Sequence, residues 1–328
     1  MYDAQIVDRL PRRFHYDAGA GGHRHSQCGK ETDVNLTLSC NHRPSGASSD
    51  NKEFPLKRIH MALLGLCFLC LPLRGRSAQP HRAAESPLTP ILARNVNSAG
   101  WVDYVGLRRN RPALKGFLES LRNVDVAKLP SDAARLTFWI NAYNAFILDD
   151  VLEYVDGKTD SVKKVDGFFD KHKHAVAGQQ LTLDEIEKRG REMHDPRIHF
   201  VINCASASCP KLSPFAYTAD DLDRELNQAA FEFFSDPVRG LRLDRSKNTI
   251  VLSPILKWYA GDFNGATSAA SQLLYYARAA ISGENVLNFV EHHATHDVAD
   301  YIQRNHPTVS YLEYDWTLNS QQLHSATP

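Results

Sequence analysis

Residues 133–154 read Ala-Ala-Arg-Leu-Thr-Phe-Trp-Ile-Asn-Ala-Tyr-Asn-Ala-Phe-Ile-Leu-Asp-Asp-Val-Leu-Glu-Tyr, and this stretch decides the fold. Leu136, Trp139, Ile140, Tyr143, Phe146, Ile147, Val151 and Tyr154 recur at the i, i+3, i+4, i+7 spacing of a helix with one apolar side. Pro130, Ser131 and Asp132 precede it, and Ser131 and Asp132 are residue types that cap a helix start. The spacing predicts a long helix that forms the spine of a core.

Outward from the spine, the upstream flank predicts a helix over 112–124 with Pro112 at its start and Leu114, Phe117, Leu118 and Leu121 on one face. Downstream, residues 174–183 read as two short strands around Gly178. Residues 183–191 read as a short helix opened by a Thr182/Glu185 capping box. Ile198 to Asn203 is a compact apolar strand and 219–234 a further helix. Residues 241–244 and 249–252 alternate like the arms of a hairpin. Two more helical stretches, 266–281 and 286–304, precede a last strand over 309–314. Short strands scattered among helices suit a helix-rich α+β (or mixed α/β) single domain over residues 95–319, with 79–94 as a linker and 320–328 as a tail.

The chain has 328 residues, 38 basic and 38 acidic side chains and a formal net charge of zero. That balance gives no electrostatic reason to expect nucleic acid, and the partner stays unknown. Hydrophobic residues at 43% allow a sizeable core. Residues 1–55 are polar and without period, and read as a disordered leader or a mis-assigned start. Residues 56–78 place Lys57 and Arg58 before about a dozen apolar residues, the layout of a secretory signal peptide. The expectation is an exported protein, periplasmic or secreted, with no membrane span after signal removal.

The unusual segment, and the candidate for chemistry, is His199-Phe-Val-Ile-Asn-Cys-Ala-Ser-Ala-Ser-Cys-Pro210. A strand running into small, polar and thiol residues is where a rigid scaffold presents reactive groups. Cys204 as nucleophile, His199 as base and Asn144 or Asn141 as the amide that orients the imidazole would make a thiol-dependent hydrolase or acyl transferase. Glu187, Ser206, Ser208 and Cys209 would stand around them. The alternative is a non-catalytic binding or scaffold domain, with Cys204 and Cys209 as a disulfide or as buried thiols and the asparagines as structural amides. Strand alternation would turn His199 and Cys204 to opposite faces unless the chain bends after Asn203. Glu291-His-His-Ala-Thr-His296 and the His172/His174 pair lack the glutamate of a zinc-protease helix, so they read as solvated positions, with no metal and no cofactor.

Several ordered motifs carry a resemblance. They are Trp-Ile-Asn-Ala-Tyr-Asn-Ala at 139–145, Leu-Asp-Glu-Ile-Glu at 183–187, and the run Asp195 to Cys204 with Ser208-Cys209-Pro210. Two more are Leu252 to Tyr259 with Asp262-Phe263, and Tyr314 to Asn319. Together they resemble the family catalogued as domain of unknown function 547. The resemblance implies one compact domain and points to His199, Cys204, Asn141 and Glu187 as motif positions, assigning a role to none. The sequence departs from the family pattern at Ala205, where a glycine is expected, and at Lys188, where His or Asn is expected.

Overall fold

In the computed structural model, residues 86–155, 159–264 and 284–324 are described. They fall in one compact unit. The leader and signal segment, residues 79–85 of the expected linker, residues 266–281 and residues 325–328 of the tail lie outside the described residues.

The spine helix is present. We number the helices in chain order: α1 Thr89–Asn95, α2 Tyr104–Leu121 and α3 Asp132–Tyr154. Ser131 caps α3, its hydroxyl accepting from the Ala134 amide at 3.1 Å. From Trp139 to Leu152 every residue of α3 is buried, so the helix is wrapped on all sides rather than along one stripe. Its polar residues are therefore obliged to find partners. Asn141 donates to the Tyr217 carbonyl and accepts from the Tyr217 amide, at 2.9 and 3.0 Å. Asn144 does the same across a bend, donating to the Val201 carbonyl at 2.8 Å and accepting from the Asn203 amide at 2.9 Å. Asp149 pairs with Arg111 and Lys115 of α2, at 2.9 and 2.7 Å.

Two expectations at this end are corrected. Pro112 lies inside α2, not at its start. Asp103 caps the helix by accepting from the Gly106 amide, and Leu107, Leu114, Phe117, Leu118 and Leu121 bury one continuous face. That burial outweighs the roughly 3 kcal/mol a mid-helix proline costs. The packed chain also starts earlier than Asn95, because Leu88, Ile91 and Leu92 join the core around α3.

Downstream, β1 (His174–Val176) and β2 (Gln179–Leu181) pair antiparallel around Gly178, whose φ of +72° suits a residue without Cβ. The capping box opens α4 (Leu183–Arg191): Thr182 Oγ1 accepts from the Glu185 amide, and Glu185 accepts from the Thr182 amide. Gly190 lets α4 close on its neighbour, since a Cβ there would lie 2.5 Å from Ile198 Cδ1.

The predicted strand over 198–203 is not a strand. Pro196–Phe200 is a 3₁₀ helix, started by Asp195, which accepts from the Arg197 amide. It runs between two apolar clusters: Ile198, Val201 and Ile202 pack with α3, while Phe200 packs with the other cluster. A strand would turn alternate residues to two faces but needs a paired neighbour; the 3₁₀ turn reaches both clusters without one.

The second cluster is built by α5 (Leu222–Phe234), the hairpin β3 (Leu241–Asp244) and β4 (Thr249–Leu252), α6 (Ile255–Trp258), α7 (Glu284–His293) and α8 (His296–Asn305). The strand β5 (Thr308–Tyr311) adds to β4 in parallel, giving the order β3-β4-β5. The expected stretch over 286–304 is two helices, because Thr295 ends one run and caps the next, accepting from the Val298 amide. His292 and His296 thus stand on different helices. A last turn, α9 (Gln321–His324), closes the described chain. Among the described residues no helix is long and apolar enough to cross a membrane.

Replacing Asn144 with Ala strands two buried backbone groups, at Val201 and Asn203. The expected loss is about 2–3 kcal/mol, read as a lower urea midpoint at unchanged m-value.

Candidate active site

The chain from Asn203 to Cys209 is a loop held from two sides. Asn144 grips its start. Asn203 turns inward, accepting from the Ala205 amide at 2.7 Å and donating to the Pro210 carbonyl at 2.7 Å. The C-terminal strap lies along the outside: Asn319 donates to Asn203, Ala207 to the Thr317 carbonyl, and Asp315 to Ser208 Oγ. Ala205 takes a φ of +60° and is fully buried. The left-handed conformation explains why a glycine is expected there, and it supplies the bend after Asn203.

With that bend, His199 and Cys204 line one cleft. Its walls come from α3 (Tyr143), α4 (Asp184 and Glu187), the 3₁₀ turn (His199), the loop (Cys204 and Cys209), α6 with the residue after it (Trp258 and Tyr259), and the strap (Tyr314 and Trp316). The space with its mouth is about 830 Å³.

Cys204 and Cys209 are joined by a disulfide. Cys204 is the more open of the two, Cys209 being 5% exposed. The Tyr314 hydroxyl lies 3.2 Å from Cys204 Sγ and 3.3 Å from Cys209 Sγ. Ser206 Oγ stands 3.1 Å from Cys204 Sγ and donates to the Tyr314 hydroxyl. The Cys204 amide donates to Cys209 Sγ at 2.9 Å. Ser206 therefore touches the sulfur pair, whereas Ser208 holds the strap.

His199 is buried, and its Nε2 donates to Asp262 Oδ2 at 2.8 Å. With Nε2 carrying the hydrogen, Nδ1 keeps the lone pair. Burial pushes the imidazole pKa down, against the pull of Asp262, so the ring is neutral near pH 7. Burial also pushes Asp262 up, but hydrogen bonds from His199 and Arg191 outweigh it and hold the carboxyl at about 2. Arg191 grips both Asp262 oxygens, at 2.6 and 3.0 Å. Tyr259 stacks on His199 with centroids 4.2 Å apart and carries the Arg191 guanidinium 4.7 Å from its ring.

Asn141 and Asn144 do not orient His199, since all four of their bonds go to backbone. That position is taken by Asp262, 63 residues along the chain from His199. The sequence placed Asp262 in a motif but gave no sign that it meets the histidine. Tyr143, Tyr259 and Tyr314 likewise stood in motifs with no sign that they line the cleft.

Glu187 is the second titrating centre. It opens to the cleft on one side and is crowded by protein elsewhere, and this burial raises its carboxyl to about 7 against Arg191 and a hydrogen bond with Tyr259. Lys188 points out to solvent, so its departure from the family pattern leaves the cleft unchanged. His174 sits 3.0 Å from Asp150 of α3, away from this cleft. Among the described residues no group of three or more His, Cys, Asp or Glu is placed to hold a metal ion.

The Glu187 shift has a measurable sign. Between about pH 4.5 and 7 the folded chain holds a proton that the unfolded chain releases, so this group's contribution to stability falls as pH rises through that window. Glu187→Gln should therefore gain on the wild type as pH rises from 5 to 8, by roughly 1–3 kcal/mol at pH 8 in urea unfolding.

No match was found to a curated protein or to a solved structure. Residues 126–234, which include α3, α4, the 3₁₀ turn, the cysteine loop and α5, match the family described as "Protein of unknown function, DUF547".

Proposed function

We propose that the cleft is the site of a thiol-dependent hydrolase or acyl transferase acting in the exported space. The observation that carries this reading is that Cys204 and His199 line one cleft, with the Asp262 carboxylate bonded to His199. The dyad meets the requirements of a general base: a neutral ring, a fixed tautomer and an ionised carboxylate behind it. Asp262 replaces the asparagines as the orienting group. Arg191 holds Asp262 from its far side, so the carboxylate stays charged and in place.

The structure holds the oxidised pair, and the chemistry belongs to the reduced one. A dithiol reductant converts the Cys204–Cys209 disulfide into two thiols and is itself oxidised to a disulfide. His199 then takes the Cys204 proton, and the thiolate adds to an acyl carbon. The leaving group departs with that proton, and water or a second acceptor releases the acyl group. A disulfide that persists until reduced fits an oxidising compartment, in keeping with the signal layout of residues 56–78.

The disulfide also favours a second reading, a binding domain that uses the same cleft without turnover. The two are separated by assaying the reduced full chain against a panel of aryl esters and thioesters. Turnover should appear on reduction and fall by about 10²–10⁴ in Cys204→Ala and in Asp262→Asn. Turnover that survives Cys204→Ala refutes the assignment, and a reduced protein inert to the whole panel leaves the binding reading standing.

A further inference from the structure

We propose that the cleft binds its ligand through a primary ammonium group, held by the aromatic wall of Trp258, Tyr314 and Trp316 and by the Glu187 carboxylate. This names the substrate class of the acyl-transfer site above, and its catalytic meaning rests on that reading. The wall is continuous: Tyr314 lies 4.8 Å from Trp258 and 4.6 Å from Trp316, centroid to centroid. Ring faces attract cations, most of all when the site is partly shielded from water. The chain provides its own example, because the ammonium of Lys163 lies 4.8 Å from the Trp316 centroid at the edge of this cleft.

Glu187 supplies the anion. The groups around it are Arg191 and Asp184 on its own helix, Tyr143 from α3, Tyr259 and Asp262 from the segment beginning at α6, and Tyr314 from the strap, with Lys163 lining the same cleft. Arg191 is the guanidinium among them: it pulls the Glu187 pKa down, less than burial pushes it up, and its own bonds go two-pronged to Asp262. Burial makes the charged carboxylate a poor resting state even with Arg191 nearby, which is why Glu187 holds its proton up to about pH 7. An incoming ammonium beside Glu187 adds positive charge and drives the proton off, so binding should strengthen as pH rises through 7.

The test uses the full chain in its oxidised form and reads binding by calorimetry at pH 8. The probes are n-butylammonium chloride, Nα-acetyl-lysine amide and the neutral n-butanol. At least one ammonium probe should bind about ten-fold tighter than butanol. Tighter binding of the lysine derivative assigns a peptide lysine, and tighter binding of butylammonium assigns a small amine. Glu187→Gln should remove the preference, and so should Trp258→Leu, with folding of each checked by circular dichroism. Moving from pH 8 to 6 should weaken the wild type and leave Glu187→Gln unchanged. Butanol matching both ammonium probes, no binding of either, or full retention in Glu187→Gln overturns the proposal. Because no turnover is read, failure here leaves the Cys204 assignment standing, and loss of that assignment leaves the binding result intact.

Discussion

The structure depends on a helix that has no free side. From Trp139 to Leu152, α3 is buried all round, so each polar residue on it must be matched inside the protein or cost the fold its desolvation. The chain answers with side-chain amides that grip backbone at both of their ends. Asn141 fixes the segment at Tyr217, and Asn144 fixes the turn between Val201 and Asn203. The second clamp matters most for chemistry. It sets where the 3₁₀ turn ends and the cysteine loop begins, and therefore where His199 and Cys204 sit relative to each other.

From that anchor the cleft is assembled by parts distant in sequence. The 3₁₀ turn touches both apolar clusters, the loop bends at Ala205, and the strap from Tyr314 to Asn319 pins the loop from outside. Two carboxyls bear on the cleft, Glu187 in its wall and Asp262 behind His199, and their environments push them in opposite directions. Hydrogen bonds and charge keep Asp262 ionised at about 2, while crowding keeps Glu187 protonated to about 7. One carboxyl orients a neutral imidazole, and the other waits for a cation. Two carboxyls separated in this way give one cleft two roles.

Much of this was legible in the sequence, and the failures have physical causes. The α3 period, its Ser131 cap, the Thr182/Glu185 box and the β3–β4 hairpin are local patterns, and local patterns are what a sequence displays. The apolar run at 198–203 misled, because a short apolar segment reads alike as a buried strand or a buried turn. Pro112 misled because burial of the α2 face outweighs its local cost. Of the residues named for the site, His199, Cys204, Cys209 and Glu187 line one cleft, while Ser208 holds the strap. The bonds of Asn141 and Asn144 go to backbone rather than to the histidine, while Asp262 reaches His199 through tertiary folding alone. The departure at Ala205 was visible, and its meaning, a left-handed bend, appears only with the backbone.

The central claim is that the His199–Asp262 dyad acts on the Cys204 thiol. The most direct test is the pH dependence of Cys204 alkylation in the reduced full chain carrying Cys209→Ser, read by peptide mass. If the dyad assists the thiol, the apparent thiol pKa falls below the ordinary value of about 8.5 and returns towards it in His199→Gln and in Asp262→Asn. An apparent pKa at or above the ordinary value, unmoved by either replacement, would contradict the account and leave the cleft as a binding site.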